Sequence, residues 1–305
     1  MGSLILAILA SSSIALLFKL TESRGMNRYA VTCGNYVAAA SASLVAFLGS
    51  RASWEHAQPG RVWTELGPAL AGTAEMSAGG SLGWALALGV PVGVIYFLGF
   101  MIYQRSVRDC GASVSGAFAK MGLAIPILAS CFLWNEWPGP VQWVAIGLLF
   151  IAIVLVNYPQ EGKGFWESVR WPALALFVVG GLAEGSTKLY QQYGRPEHKE
   201  AFLLALFGVA LVVSAAPLVA GRRKPTPSEL GMGFLVGIPN VATSYFLILA
   251  LQTVPGSVAF AVFAAGCILV ITLASWLLAG ERLTRFEAWG VAIVALALVL
   301  LNLGR

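Results

Sequence analysis

The sequence predicts an all-α integral membrane protein of ten transmembrane helices, built as two inverted five-helix repeats. Three observations predict it. Of the 305 residues, 58% are Ala, Val, Ile, Leu, Met, Phe, Trp, Tyr or Cys and 11% are charged, against about 25% charged in a soluble domain. The charges gather in short clusters that leave long uncharged runs. The two halves of the chain carry the same landmarks in the same order. A mean hydropathy of +0.79 excludes a water-facing globule, a disordered chain and a disulfide scaffold alike.

No charge lies between Tyr29 and Ser50, Leu82 and Gln104, Ala201 and Gly221, or Leu230 and Gly280. A helix needs about 20 apolar residues to cross the hydrocarbon. The last run therefore holds two crossings, with Pro255-Gly256 as the turn. Only helices and closed barrels satisfy every backbone group in lipid, and unbroken apolar runs lack a barrel's alternation. The first five spans are Leu4–Thr21, Asn27–Gly49, Leu82–Tyr103, Gly111–Leu133 and Pro140–Tyr158. The second five are Trp171–Tyr193, Lys199–Val219, Glu229–Gln252, Gly256–Leu278 and Thr284–Leu303. Ser11-Ser12-Ser13 gives the first span the look of a secretory leader. No Lys or Arg precedes it, however, so it is read as a span. Runs of small residues, Ala38–Ser43 and Gly79-Gly80, suit close helix packing, and Trp54, Trp63, Trp134, Trp137, Trp166 and Trp171 suit an interfacial belt.

The internal repeat is read from matched pairs. Trp134-Asn135-Glu136-Trp137 returns as Ala279-Gly280-Glu281-Arg282, and each precedes an apolar helix ending in Asn157 or Asn302, both at an offset of 145. Gly89-Val90-Pro91 pairs with Gly237-Ile238-Pro239, and Tyr96-Phe97-Leu98 with Tyr245-Phe246-Leu247. Lys19-Leu20 and Gly25 match Lys188-Leu189 and Gly194. The repeats are expected at residues 1–160 and 161–305. Five helices per half is an odd number, so the second copy lies upside down, as in secondary transporters with a midplane site at the repeat interface.

With those residues in view the chain resembles the drug/metabolite transporter superfamily, in particular its EamA-like branch. The short Glu-containing corner before an apolar helix occurs in both halves, and Gly280-Glu281-Arg282-Leu283-Thr284 is the best-matching motif. The resemblance implies a bacterial inner-membrane carrier for a small metabolite, its cavity lined by the third, fourth, eighth and ninth spans. Two departures are Asn135-Glu136-Trp137-Pro138, which lacks the Gly before Glu, and the long stretch Arg51–Ser81. Orientation stays open. Arg24, Arg28, Arg105, Arg108, Lys163, Arg170, Arg222, Arg223, Lys224, Arg282 and Arg285 follow odd-numbered spans, whereas Arg51, Arg61, Arg195, Lys199 and Arg305 lie on the other side. The positive-inside rule then puts both termini outside, while the resemblance implies cytoplasmic termini.

Polar residues inside spans are the candidates for chemistry, because each is costly to insert. Lys120 is the one charge between Gly111 and Asn135. It stands roughly 13 Å from the start of its span, near the middle of a core about 30 Å thick. Glu184 lies deep in the sixth span with Lys188 one turn on, so the two can pair along one face. It is expected to be the coupling carboxylate, alternating between a lysine and a proton. Lys19 lies near a span end, where it can also snorkel. Tyr96 and Tyr245 occupy equivalent places and offer an apolar ring with a polar handle; plain packing is the alternative. Pro91 and Pro239 each remove a backbone donor and are the candidate hinges. Glu136 and Glu281 read as stabilisers of helix starts.

Lys19, Lys120 and Lys188 against Glu184 leave a cationic surplus, which favours anionic or zwitterionic cargo. The expected function is secondary, non-ATP transport of such a metabolite by alternating access, with protons as one candidate coupling ion. The alternative is a membrane-embedded enzyme, or an accessory or scaffold protein, reusing the fold. Expected partners are the substrate, the lipid bilayer and protons, the chain acting as monomer or homodimer. Neither cofactor nor metal is expected: Cys33, Cys110, Cys131 and Cys267 are scattered, His56 and His198 fall in predicted loops, and no phosphate-cradling loop occurs. The net charge of +5 sits in loops and carries no nucleic-acid signal.

Overall fold

The computed structural model describes residues 1–50, 59–158, 164–220, 224–279 and 284–303, apart from the side chain of Glu22. Among them no strand occurs. The helices are α1 (Gly2–Ser23), α2 (Arg28–Gly49), α3 (Val62–Leu70), α4 (Ala78–Cys110), α5 (Ala112–Met121) and α6 (Ala124–Trp134). They continue with α7 (Pro140–Val156), α8 (Trp171–Tyr193), α9 (Lys199–Ala220), α10 (Pro227–Leu251), α11 (Gly256–Ala279) and α12 (Arg285–Leu303). Gly280-Glu281-Arg282-Leu283, His56, Trp54 and the expected repeat boundary at 160/161 lie outside the described residues.

Each expected span coincides with a helix, except that the fourth coincides with two. Eight spans among the described residues (α1, α2, α4, α5 with α6, α9, α10, α11 and α12) are long and apolar enough to cross a membrane. Helix α7 is apolar but 17 residues long. Helix α8 has 23 residues, diluted by Glu184, Lys188, Gln191 and Gln192. The chain is a multi-pass membrane protein. Exposed Val45, Phe132, Leu133 and Val219 face lipid rather than water, since a soluble surface seldom carries such a density of large apolar groups. The third span is longer than expected: α4 runs 33 residues, about 50 Å, so it overreaches the hydrocarbon. The stretch before it holds a 3-10 turn at Pro59–Arg61 as well as α3.

Local chemistry sets the helix ends. Thr226 caps α10 by accepting from Glu229 N, Glu229 returns a carboxylate oxygen to Thr226 N at 2.9 Å, and Pro227 opens the first turn, a reciprocal capping box. Helix α6 ends with Asn135 in the left-handed region (φ 55°) and a bond from Glu136 N to Ser130 O at 3.0 Å, a Schellman end in which Asn stands where Gly is commoner. Between α4 and α5 the single residue Gly111 turns the chain at φ 87°, a conformation costly for any residue with a Cβ.

The helices pack into two compact units: A, made of Met1–Ser12, Leu98–Gly185 and Thr253–Arg305, and B, made of Ser13–Phe97 and Ser186–Gln252. Each draws on both halves of the sequence. In lipid no hydrophobic gain drives helices together, so close backbone approach must supply the attraction. Unit B achieves it with glycines four apart. A Cβ on Gly233 would press on the Val31 carbonyl and one on Gly237 on the Asn35 carbonyl, which joins α10 to α2. Gly89 and Gly93 do the same for α4 against Phe202–Ala210 of α9. Phe202, Phe207, Leu206, Tyr36 and Tyr190 fill the buried cluster of this unit. In unit A, Gly290 of α12 sits against Val156 and the Ala152 carbonyl of α7. Gln142 Nε2 donates to Leu301 O at 3.5 Å at the other end of that pair, so α7 and α12 run antiparallel.

Candidate functional site

The break in the fourth span falls two residues after Lys120. Pro126 has no N–H to offer the Gly122 carbonyl four residues back, and the chain tightens instead: Leu123 N donates to Lys120 O at 3.2 Å and Ile125 N to Gly122 O at 3.0 Å. Lys120 therefore occupies the last turn of α5, where the partial negative charge of a helix C-terminus favours an ammonium. The expected span Gly111–Leu133 is present as one apolar run, Ala112–Trp134, with a 3-10 tightening at Gly122-Leu123. Discontinuous helices are a recurrent way of exposing backbone groups and charges at transporter sites.

Gly122 is the point where this break meets α8. An added Cβ there would stand 2.6 Å from the Phe177 carbonyl oxygen and 3.0 Å from Gly181 N, and one on Gly181 would collide with the Gly122 carbonyl. Past the crossing, Gly181 meets Ile125 and Gly185 stands against Pro126. Glu184 follows Gly181 by three residues, and the charge of Lys120 acts on it. On another side the Lys120 ammonium lies over the ring of Phe263 in α11, 5.5 Å from its centroid. Both Lys120 and Glu184 are half-buried, whereas Phe263 is wholly buried. All belong to unit A.

The other expected site residues belong to unit B. Lys188 is buried, and its ammonium donates to Gln191 Oε1 at 3.1 Å. Tyr96 places its hydroxyl 3.4 Å from Ser244 Oγ and packs edge-on against Phe207. Tyr245 is covered by the Lys199 ammonium, 5.0 Å from its ring centroid. The two tyrosines thus border the same buried cluster. Lys19 is exposed near the end of α1. Helices α4 and α10 run without interruption through Pro91 and Pro239.

Several polar residues escaped the sequence reading. Asn240 Nδ2 donates to Asn35 Oδ1 at 3.0 Å between α10 and α2; nothing local in the sequence pairs residues 205 positions apart. His198, expected in an open loop, is buried against Ser81, whose hydroxyl lies 3.0 Å from Nδ1 and also accepts from Arg195 N at 2.7 Å. Glu200 is buried beside Lys199, at 2.8 Å. Glu229 joins two helices, accepting from Asn27 N at 2.8 Å as well as from Thr226 N; the Thr226-x-x-Glu229 spacing was the signal for its local half. Glu136 does cap a helix, but that of α11 through Gly256 N at 2.6 Å rather than the helix that follows it, because the Schellman end turns it away from Pro140.

Comparison with known proteins fits this architecture. The profile of the EamA-like transporter family matches residues 171–303. The quaternary ammonium compound-resistance protein QacE of Escherichia coli is 32% identical over 101 residues, 33% of this chain and 87% of that protein. The chain belongs to the EamA-like transporter family. An uncharacterized protein of Haemophilus influenzae is 24% identical over 197 residues, covering 63% of this chain and 67% of its own. A crystal structure covering 99% of this chain and 95% of its own superposes with a TM-score of 0.72 at 16% identity, a likeness of fold alone. This EamA-like chain shares with its family an all-helical, multi-pass membrane architecture.

Proposed function

We propose that the protein is a secondary carrier, not an enzyme, which moves a small anionic or zwitterionic metabolite by alternating access. In this reading the ten helices form two inverted repeats, residues 1–160 and 161–305. The observation that carries it is a half-buried lysine, Lys120, and a half-buried carboxylate, Glu184, on the two helices that cross at Gly122 and Gly181, the charge of one acting on the other. A lysine and a carboxylate half-buried in a membrane protein are expensive to insert, and such groups usually line substrate or ion pathways. The anionic group of the cargo takes Lys120. When the site empties, Glu184 passes to Lys120 or takes a proton, which couples proton movement to transport.

One finding favours a second reading: the name of QacE concerns quaternary ammonium compounds, which would put a cation on Glu184. Lys120 opposes it, since a like charge close by in a low-dielectric interior repels a cationic cargo. Counterflow in proteoliposomes tests both readings, with panels of amino acids, organic acids and quaternary ammonium salts. The anionic or zwitterionic panel should be exchanged by the native protein and lost in Lys120→Gln. In Glu184→Gln, exchange should persist while a pH gradient no longer drives accumulation. Exchange of quaternary ammonium salts alone would overturn the proposed cargo class, and absence of any counterflow would overturn the carrier.

A further inference from the structure

Lys120 lays its ammonium over an aromatic face, and its charge acts on a carboxylate of the neighbouring helix. The Phe263 ring lies 5.5 Å from Nζ, within the range in which a cation is attracted to a ring quadrupole. Glu184 lies one turn beyond the Gly122–Gly181 contact on α8, and the Lys120 charge acts on it. A wholly buried aromatic ring with a carboxylate nearby is the chemistry that recognises a quaternary ammonium group, which offers no N–H and depends on ring faces and countercharge. Here the cation is supplied by the chain itself.

We propose that Lys120 is a tethered cation occupying a ring-and-carboxylate site made by Phe263 and Glu184, and that it is the residue that excludes cationic cargo from this protein. The proposal rests on the carrier reading and deepens it, because it names the feature that sets the sign of charge accepted. Two physical effects act together. The ammonium repels a second cation, and the four-carbon stem fills the space over Phe263. Shortening the side chain removes both; replacing it with arginine removes neither. The site is then open to a cation of about the size of the lysine tip.

The test is tetramethylammonium binding to the full-length protein in detergent by isothermal titration, with monodispersity and thermal unfolding checked for every variant. Lys120→Ala should bind tetramethylammonium about tenfold more tightly than the native protein, or better, the scale of a desolvated cation–ring contact. Lys120→Arg should show no gain. Adding Glu184→Gln or Phe263→Leu to Lys120→Ala should each remove most of the gain. A folded Lys120→Ala that binds no more tightly than the native protein overturns the proposal, and so does a gain that survives both second substitutions. Lys120→Met, which keeps most of the stem without the charge, stands in if Lys120→Ala fails to fold; it should gain a smaller factor that Glu184→Gln abolishes, and no gain there refutes the idea equally. Failure of the carrier reading would look different, as absent counterflow by the native protein whatever the variants bind.

Discussion

The crossing of the broken fourth span over α8 makes a quantitative prediction about one methyl group. In Gly122→Ala the backbone at residue 122 is already right-handed (φ −53°, ψ −26°), so the new side chain meets no conformational strain. It meets the Phe177 carbonyl at 2.6 Å, where ordinary contact begins near 3.4 Å. The helices must part by about 0.8 Å, the shortfall between those distances, and overpacking of this kind costs about 1–3 kcal/mol. Gly147→Ala is the matched control: it lies inside α7, nothing stands within 4 Å of the added Cβ, and the same replacement there should stabilise by about 0.5–1 kcal/mol through helix propensity. The two variants carry identical chemistry and should move thermal unfolding in opposite directions, by a few degrees each. Fluorescence-monitored unfolding in one detergent measures both. The displacement at Gly122 also moves Lys120 relative to Glu184, so substrate counterflow should fall in Gly122→Ala and stay native in Gly147→Ala. A Gly122→Ala protein as stable and active as Gly147→Ala would refute the close crossing of α8 at Gly122.

Glu229→Ala removes acceptors from both Asn27 N and Thr226 N and should lower stability by about 1–3 kcal/mol, more than Thr226→Ala, which breaks only the local cap; unfolding midpoints compare them. Asn35→Leu and Asn240→Leu, singly and together, should give a coupling energy of about 0.6 kcal/mol, the average for hydrogen bonds between membrane helices, and additive effects would show that the pair at 3.0 Å contributes nothing by itself.

Much of the architecture was legible in one dimension, because the bilayer imposes a length and a polarity that any crossing segment must obey. Charge-free runs between Tyr29 and Ser50 or Leu82 and Gln104 therefore announced helices directly. The matched pairs, from Lys19 with Lys188 to Glu136 with Glu281, pointed to the family without a coordinate. Lys120 and Glu184 stood out as costly charges in spans, a local property. Tertiary structure decided what sequence spacing could not express. The break after Lys120 depends on a proline six residues on and on glycines that let α8 approach. Glu136 caps a helix that begins 120 residues later, and Asn35 finds Asn240 across a glycine seam. Composition dictates which segments leave water. Which polar group each buried one meets is a matter of backbone approach, and approach is set by small residues on neighbouring helices far apart in the chain.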